Sequence, residues 1–221
     1  MMARRVAIIF FPSLGHIDKL AEAELNGIQK GGGWADLFQV ELSPSNELVI
    51  LMRSPVSSIV GPQYLLTYDA ILFGISAGYK NFPPEWYLFW EQTSSLWTSI
   101  GFWKKHAGVF VSTEVLGGCQ EAACIAAMST LTYHGLFYVP LGETALLPYK
   151  EGLAYGHGAS AWGAGTSQGS DGSCLPSEIE LEIAELQGKL FYQHIIEGCQ
   201  RKGGTRGKKR RPVTDNISEN P

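Results

Sequence analysis

The sequence predicts an α/β protein in which a doubly wound parallel sheet of five strands carries helices on both faces. Apolar, β-branched segments alternate along the chain with segments whose apolar residues recur at helical spacing. The strand-like segments are apolar at successive positions, which is typical of parallel strands buried on both faces. The length of 221 residues suits one domain with a sizeable core.

The first half of the chain supplies two strands, one helix and a further strand candidate. Residues 5–11 are β-branched and aromatic at their centre and predict the first strand. Residues 17–29 place apolar side chains three, four and seven apart, which predicts a helix, and the glycines at 31–33 end it. Residues 35–42 predict the second strand, and residues 48–52 are a candidate for a short one.

Three more strands and two helices follow. Residues 70–75, 107–112 and 136–139 predict the third, fourth and fifth strands. Residues 84–97 predict a helix that begins with proline in its first turn, and residues 121–134 predict another.

The C-terminal third combines a long loop, a helix and a charged tail. Residues 142–175 are rich in glycine and serine, and a loop of this length is usually functional or mobile. Residues 176–200 predict the final helix, whose start at 177–180 resembles a capping box. We therefore expect one domain over residues 1–200 and a disordered basic tail over residues 201–221.

Charge separates the tail from the rest of the chain. Residues 201–221 contain seven basic and two acidic residues, a net +5, which leaves about −9 of the total charge of −4 on residues 1–200. An acidic body argues against nucleic acid as its partner, because phosphate contacts need a basic folded surface. The basic run at 208–212 is typical of a nuclear import signal, of peripheral contact with anionic lipid, or of a solvated tail.

The compartment and the metal content follow from what the sequence lacks. It has neither a convincing secretory signal nor a run of about 18 apolar residues, so we expect a cytoplasmic protein without a membrane-spanning helix. None of the four cysteines forms a C-x-x-C pair, and no metal site is expected.

In a doubly wound sheet, ligands bind outside the carboxyl ends of the strands, near the point where the strand order reverses. The loops after the first, third and fourth predicted strands therefore hold the candidate site. They cover residues 12–17, 76–82 and 113–120.

These loops and the surrounding sequence resemble the WrbA-type flavodoxin-like proteins over about residues 6–200. The stretches that carry the resemblance are Gly15-His16-Ile17, residues 68–74, Glu91-Gln92-Thr93, Gln120-Glu121, His134-Gly135, residues 139–142 and Asp171-Gly172-Ser173. Residues 127–131 and 161–165 are similar to the fungal branch. The resemblance implies a flavodoxin-like fold, FMN as cofactor, NAD(P)H as electron donor, and two-electron reduction of a quinone in oxidative-stress defence.

The first loop of that family reads Ser-x-x-Gly-His-Ile, and its hydroxyl and backbone N–H groups hold the FMN phosphate at a helix N-terminus. Gly15, His16 and Ile17 match it. Pro12 stands at the position of the leading serine and offers neither a hydroxyl nor an N–H, whereas Ser13 offers a hydroxyl one residue later. The alternative is an ordinary strand–helix turn in which Gly15 supplies the conformation.

The second loop of the family reads Gly-Thr-Pro-Thr-Arg-Phe-Gly-Asn and wraps the ribityl chain and the ring edge. Here both threonines and the arginine are absent, while Tyr79 and Asn81 remain in kind. The resemblance implies that Tyr79 stacks on the ring. Lys80 adds a positive charge, which either stabilises a reduced anionic flavin or belongs to a solvated surface lysine.

The third loop of the family reads Ser-Thr-Gly-Thr-Gly-Gly-Gly-Gln-Glu, and here it is one residue longer. Ser112, Thr113, Gly117 and Gly118 match and are candidate FMN ligands. Glu114 replaces a glycine and brings a carboxylate near the expected ring, which disfavours a reduced anionic flavin.

Two aromatic residues outside the loops complete the resemblance. His134 matches a histidine near the flavin ring, which implies a catalytic proton donor to the quinone, although a histidine at a helix end also serves as a cap or packs. Trp97 matches a tryptophan that lines the flavin pocket of a neighbouring subunit; the alternative is a core aromatic. The resemblance thereby implies a homo-oligomer, a dimer or a tetramer.

Three functions stay open at this point. The first is an NAD(P)H dehydrogenase (quinone) that uses FMN. The second is a flavodoxin-like protein that has lost tight FMN binding and acts as a stress-linked scaffold or as a partner of active paralogues. The third is a binder of another planar or phosphorylated ligand, since a fold does not determine a function.

Overall fold

The computed structural model describes residues 4–12, 16–53, 58–78, 82–114, 120–149, 158–167, 169 and 173–203. Its strands are β1 (Arg5–Phe11), β2 (Trp34–Leu42), β3 (Leu48–Arg53), β4 (Ser58–Val60), β5 (Ala70–Ala77), β6 (His106–Thr113), β7 (Phe137–Tyr138) and β8 (Gly165–Ser167). Its helices are α1 (Ile17–Lys30), α2 (Pro84–Gln92), α3 (Ser94–Thr98), α4 (Gln120–Tyr133), α5 (Glu143–Leu146) and α6 (Glu178–Gly203), with 3₁₀ helices at Pro62–Thr67 and Leu147–Tyr149.

The sheet contains the expected five parallel strands and extends beyond them. The strand order is β4-β3-β2-β1-β5-β6-β7, and β2, β1, β5, β6 and β7 run parallel. The strands β3 and β4 add an antiparallel edge next to β2, and β8 pairs parallel with β6, so the sheet of the described residues has eight strands rather than five. A tight turn makes this edge, because Asn46 takes the left-handed region with φ 64° and lets the chain fold back on β2.

The fifth parallel position is divided between two short strands. Phe137 of β7 pairs with His106 at the start of β6, and Gly165 of β8 pairs with Val111 near its end. Both strands use the edge of β6 that β5 leaves free. The segment predicted as one long loop at 142–175 therefore also contains α5, a 3₁₀ helix and β8.

Alternate residues of β1 face two separate apolar layers. Ala7, Ile9 and Phe11 pack towards α2 and α4, whereas Val6 and Ile8 pack towards α1 and α6, and all five are completely buried. Burial on both faces explains why the strand is apolar at every position from Val6 to Phe11. The doubly wound α/β architecture predicted from the sequence is confirmed.

Two helix predictions are refined by side-chain hydrogen bonds. The helix expected over residues 84–97 is two helices, because the chain turns at Thr93, whose buried hydroxyl donates to the carbonyl of Trp90 at 2.8 Å. The capping box is confirmed: Ser177 N–H donates to the Glu180 carboxylate at 2.8 Å, and Glu180 N–H donates to Ser177 Oγ at 3.3 Å.

The helix α6 continues to Gly203, three residues into the predicted tail, and the tail over 204–221 lies outside the described residues. Within the ranges given above, no helix has the length and hydrophobicity needed to cross a bilayer.

The helices α1 and α6 cross at backbone contact. A Cβ on Gly27 would lie 1.9 Å from the carbonyl oxygen of Glu185, and one on Gly188 would lie 2.2 Å from that of Glu24. The Glu24 side chain is completely buried beside this crossing, and its two carboxylate oxygens meet no hydrogen-bonding partner among the described residues. Burial raises the pKa of Glu24 well above its usual value, because a carboxyl group without water or a partner favours its neutral, protonated form.

Two helices end in Schellman motifs, in which the residue after the cap is left-handed and glycine is preferred. Gly32 follows α1 with φ 81°, and Gly135 follows α4 with φ 69°. In α4, the N–H groups of Gly135 and Leu136 donate to the carbonyls of Thr132 and Leu131 at 3.0 and 2.9 Å, as this motif requires.

The helix α3 ends in the same motif with isoleucine at the glycine position. Ile100 has φ 60°, and its N–H donates to the carbonyl of Trp97 at 3.0 Å. The N–H of Gly101 donates to the carbonyl of Leu96 at 2.8 Å. A β-branched residue in the left-handed region costs about 1–2 kcal/mol, because its Cβ crowds the following carbonyl.

Candidate functional site

The carboxyl ends of β1, β5 and β6 meet at one edge of the sheet. Phe11 pairs with Ile75, and Ser112 pairs with Ser76 across β5 and β6. Ser112 Oγ donates to Ser76 Oγ at 3.2 Å, and both hydroxyls are buried. Thr113, the last residue of β6, is also buried. We call this edge the cradle.

The N-terminus of α1 opens onto the cradle, because α1 begins shortly after β1 ends there. His16 occupies the N-cap position, is 7% exposed and makes no side-chain cap hydrogen bond, and Ile17 behind it is completely buried. The first backbone N–H groups of a helix have no partners within it and carry the positive end of its dipole. This end of α1 is therefore suited to an anionic group such as a phosphate.

Two buried polar atoms at the cradle lack partners among the described residues, and sequence reasoning missed both as site residues. They are the hydroxyl of Ser167, which pairs in the sheet with Thr113, and the side-chain amide nitrogen of Gln120 at the start of α4. A buried polar atom without a partner costs about 1–3 kcal/mol, so such atoms mark where a polar ligand fits. The Gln120-Glu121 match was a signal for Gln120, whereas nothing in the glycine-rich stretch singled out Ser167.

Six predicted cofactor ligands lie outside the described residues. They are Ser13, Gly15, Tyr79, Asn81, Gly117 and Gly118. Of the predicted cradle residues, His16, Ile17, Ser112 and Thr113 are described, and the structure brings them to the same edge.

Glu114 lies at the mouth of the cradle and leans towards the second loop. Its carboxylate Oε1 would lie 3.2 Å from a Cβ built on Gly78. The acidic group predicted near the cofactor ring is thus placed between the starts of the second and third loops.

Trp97 and His134 lie together, but near the amino ends of the parallel strands, opposite the cradle. The helix α4 starts at the cradle and has 14 residues, and at about 1.5 Å per residue its two ends are about 20 Å apart. His134 directly follows α4, and the next strand pairs with the first residue of β6. In one chain, therefore, His134 does not reach the cradle.

These two residues share an apolar pocket of about 660 Å³, which we call the aromatic pocket. It is lined by Trp97, Thr98, Ile100, Trp103, Tyr133 and His134. The Trp97 and Tyr133 rings stack at 5.1 Å between centroids, and Trp97 Nε1 donates to the Tyr133 carbonyl at 3.3 Å. Trp97 is 45% exposed, so it is not the core aromatic of the alternative interpretation.

The imidazole of His134 is held between aromatic rings. It lies 4.3 Å from Trp90 and 6.1 Å from Phe102, measured between ring centroids. Its Nδ1 is buried and has no hydrogen-bonding partner in the described part of the chain. Burial lowers the pKa of His134 below its usual 6.5, so the ring is neutral at neutral pH and carries one N–H donor.

Curated relatives match nearly the whole chain. The chain is 46% identical over 204 residues to the minor allergen Alt a 7 of Alternaria alternata, covering 90% of this chain and 100% of the relative. It is 42% identical over 197 residues to the NAD(P)H quinone oxidoreductase PST3 of Candida albicans, covering 88% and 99%. This chain belongs to the fungal flavodoxin-like NAD(P)H quinone oxidoreductase family. No family model matches it.

Solved structures agree with the flavodoxin-like fold of this quinone oxidoreductase family. A WrbA-like flavodoxin from Agrobacterium tumefaciens superposes with a TM-score of 0.61 at 19% identity, covering 88% of this chain and 99% of that one. Flavodoxin 2 from Bacillus cereus superposes with a TM-score of 0.53 at 14% identity, covering 88% and 99%. The resemblance stated from the sequence is confirmed for family and fold.

Proposed function

We propose that this protein binds FMN in the cradle and catalyses the two-electron reduction of a quinone by NAD(P)H. The observation that carries the proposal is the convergence at one sheet edge of the α1 N-terminus, buried hydroxyls and two unpartnered buried polar atoms. Curated relatives at about 40% identity are named NAD(P)H quinone oxidoreductases. A role in oxidative-stress defence in the cytoplasm belongs to the same proposal.

The cradle residues fit FMN in kind. The N-terminus of α1 at His16, together with Ser13 and Gly15, would hold the phosphate, because its free N–H groups favour an anion. Ser167 and Gln120 would satisfy their buried polar atoms on the polar edge of the cofactor. FMN, when bound, supplies the chemistry that accepts a hydride from nicotinamide and passes two electrons to a quinone.

The quinone would bind in the aromatic pocket, where Trp97 offers a flat surface and His134 a neutral N–H donor to the quinone oxygen. Because the pocket lies about 20 Å from the cradle of its own chain, it would face the cradle of a second copy. The functional unit is therefore a homo-oligomer in this proposal, in which the partner copy completes each site.

A second candidate is a non-enzymatic flavodoxin-like protein that has lost tight FMN binding. Pro12 at the end of β1 removes one hydroxyl and one N–H from the phosphate position. The carboxylate of Glu114 leans across the mouth of the cradle, where it repels a reduced anionic flavin. Such a protein would act as a scaffold or as a partner of active paralogues.

An FMN titration of the purified protein separates the two candidates. Quenching of FMN fluorescence at micromolar protein, followed by NAD(P)H-dependent reduction of a quinone, supports the enzyme. A colourless protein supports the second candidate if FMN added in excess shows no change in its fluorescence.

Two variants then locate the cofactor. Ser167→Ala removes an unpartnered hydroxyl, so we expect FMN affinity to fall about tenfold while the stability of the cofactor-free protein is kept. Pro12→Ser restores a hydroxyl and an N–H, and FMN affinity should rise. The matched control is Ser129→Ala on the exposed side of α4, whose hydroxyl bonds only to a backbone carbonyl.

A further inference from the structure

The end of α3 differs from two other helix ends of the same design. The motif after α1 and after α4 has glycine in the left-handed position, and only α3 among these three has a β-branched residue there, Ile100 with φ 60°. Glycine or asparagine adopts this conformation with little strain. The chain therefore keeps an isoleucine where its own backbone geometry favours another residue.

Burial within the chain does not offset this strain. The side chain of Ile100 is 65% exposed and belongs to neither layer of the core. It lines the aromatic pocket instead, together with Trp97, Trp103 and Tyr133. Strained residues that add little to packing are concentrated at functional sites.

The composition of the aromatic pocket shows what Ile100 adds. Among the described lining residues, Ile100 is the one side chain made only of aliphatic carbon beyond its backbone. The pocket volume of about 660 Å³ greatly exceeds that of a single six-membered ring. Space therefore remains beside a bound quinone ring, and Ile100 supplies an apolar wall for it.

We propose that Ile100 makes the aromatic pocket select quinones that carry aliphatic substituents over unsubstituted ones. This inference rests on the proposed function, since it takes the quinone to bind between Trp97 and His134. An alkyl group that covers the exposed part of Ile100 removes apolar surface from water. This burial strengthens the binding of a substituted quinone and leaves that of an unsubstituted quinone unchanged.

The test compares para-benzoquinone with a benzoquinone that carries a decyl chain. With FMN and NAD(P)H saturating, we expect Ile100→Asn to lower the ratio of kcat/KM for the decyl compound over para-benzoquinone about tenfold. Ile100→Val keeps a branched wall and should retain most of the selectivity. Calorimetric titration of the decyl compound without NAD(P)H should show the highest affinity for the wild type, a similar one for Ile100→Val and the lowest for Ile100→Asn.

Stability separates this loss from damage to the fold. Asparagine tolerates the left-handed region, so the unfolding temperature of Ile100→Asn should equal or exceed that of the wild type. The matched control is Lys104→Asn, because Lys104 is also left-handed, with φ 66°, but does not line the pocket. The control should leave the substrate ratio unchanged.

The outcomes distinguish this inference from the function on which it rests. A wild type that reduces both quinones, with an unchanged ratio in Ile100→Asn, overturns the inference and leaves the proposed function standing. A wild type that reduces neither quinone overturns both. Elution of Ile100→Asn as a smaller species with an unchanged ratio assigns Ile100 to a contact between copies and also overturns the inference.

Discussion

At the scale of single residues, Glu24 makes stability depend on pH in an unusual direction. Most carboxyl groups in folded proteins are charged, and their pairing makes proteins lose stability in acid. The carboxyl oxygens of Glu24 have no hydrogen-bonding partner among the described residues, and burial raises the pKa of Glu24 well above the usual value. Its folded form therefore retains a proton that the unfolded form releases.

The sign of the effect follows from that proton. The contribution of Glu24 is fully present below the unfolded pKa of 4.5 and is lost as the pH rises towards the raised folded pKa. Glu24→Gln removes the titration, so the stability of the variant relative to the wild type should grow as the pH rises. Urea unfolding of both proteins between about pH 5 and about pH 8 measures this difference in the free energy of unfolding. Two results would contradict this account. One is that the free energies of unfolding of Glu24→Gln and wild type change with pH in parallel; the other is that the exposed control Glu22→Gln gains as much relative stability as Glu24→Gln.

A second prediction at this scale concerns His134 and activity. Because burial lowers the pKa of His134 below 6.5, the imidazole should be neutral throughout the neutral range. Quinone reduction should then be level around neutrality and rise as the pH falls through the lowered pKa, where the imidazolium is the stronger proton donor. Steady-state kcat profiles of wild type and His134→Gln test this. If the increase of kcat at acid pH persists in His134→Gln, or is lost in the control His194→Gln on α6, a group other than His134 is responsible for the increase.

At the scale of elements, the α1–α6 crossing depends on the absence of two side chains. A methyl group on Gly27 would overlap the carbonyl oxygen of Glu185 at 1.9 Å. Gly27→Ala should therefore destabilise the protein by about 1–3 kcal/mol, although alanine is the better helix former. Asn26→Ala, on the exposed side of the same turn, should be neutral or slightly stabilising. Chemical unfolding of both variants decides between packing and propensity, and equal effects would exclude the packing account.

Elements were predictable where the chain is apolar and long, and not where a few residues complete the sheet. The strand at Arg5–Phe11 is apolar from Val6 onward and was predicted with its observed bounds. The three-residue strands β4 and β8 carry no pattern of their own and form because β3 and β6 have free edges. The break at Thr93 is a change of backbone angles at one residue, with φ −85° and ψ 3°, which helical spacing of apolar residues does not show.

At the scale of the whole molecule, the cradle and the aromatic pocket lie at opposite edges of the sheet. The sequence located the cradle, because loops after parallel strands meet at one edge. Resemblance alone assigned Trp97 to the flavin pocket of a neighbouring subunit and put His134 near a flavin ring without saying in which subunit. The length of α4 places its far end about 20 Å from the cradle of its own chain, and this distance is the reason for proposing that a second copy completes the site.

Mixing two defective chains tests the shared site. His16→Asp keeps a good helix cap but puts a carboxylate where the phosphate would bind, so it should not bind FMN. A Trp97→Ala/His134→Ala chain keeps the cradle and loses the pocket. Each variant alone should be inactive, whereas oligomers refolded from the mixture should recover quinone reduction. Mixtures as inactive as their parts would place each complete site within a single chain.

Both margins of the sheet end in very short strands, and this limits how copies of the chain can join. The outermost strand on one side is β4, with three residues, and on the other side β7 has two and β8 three. Long, flat edge strands expose unpaired backbone groups to which a strand of another molecule can pair, and short edge strands offer too few such groups. Contacts between copies would therefore use side-chain surfaces, and a continuous sheet shared between molecules is disfavoured.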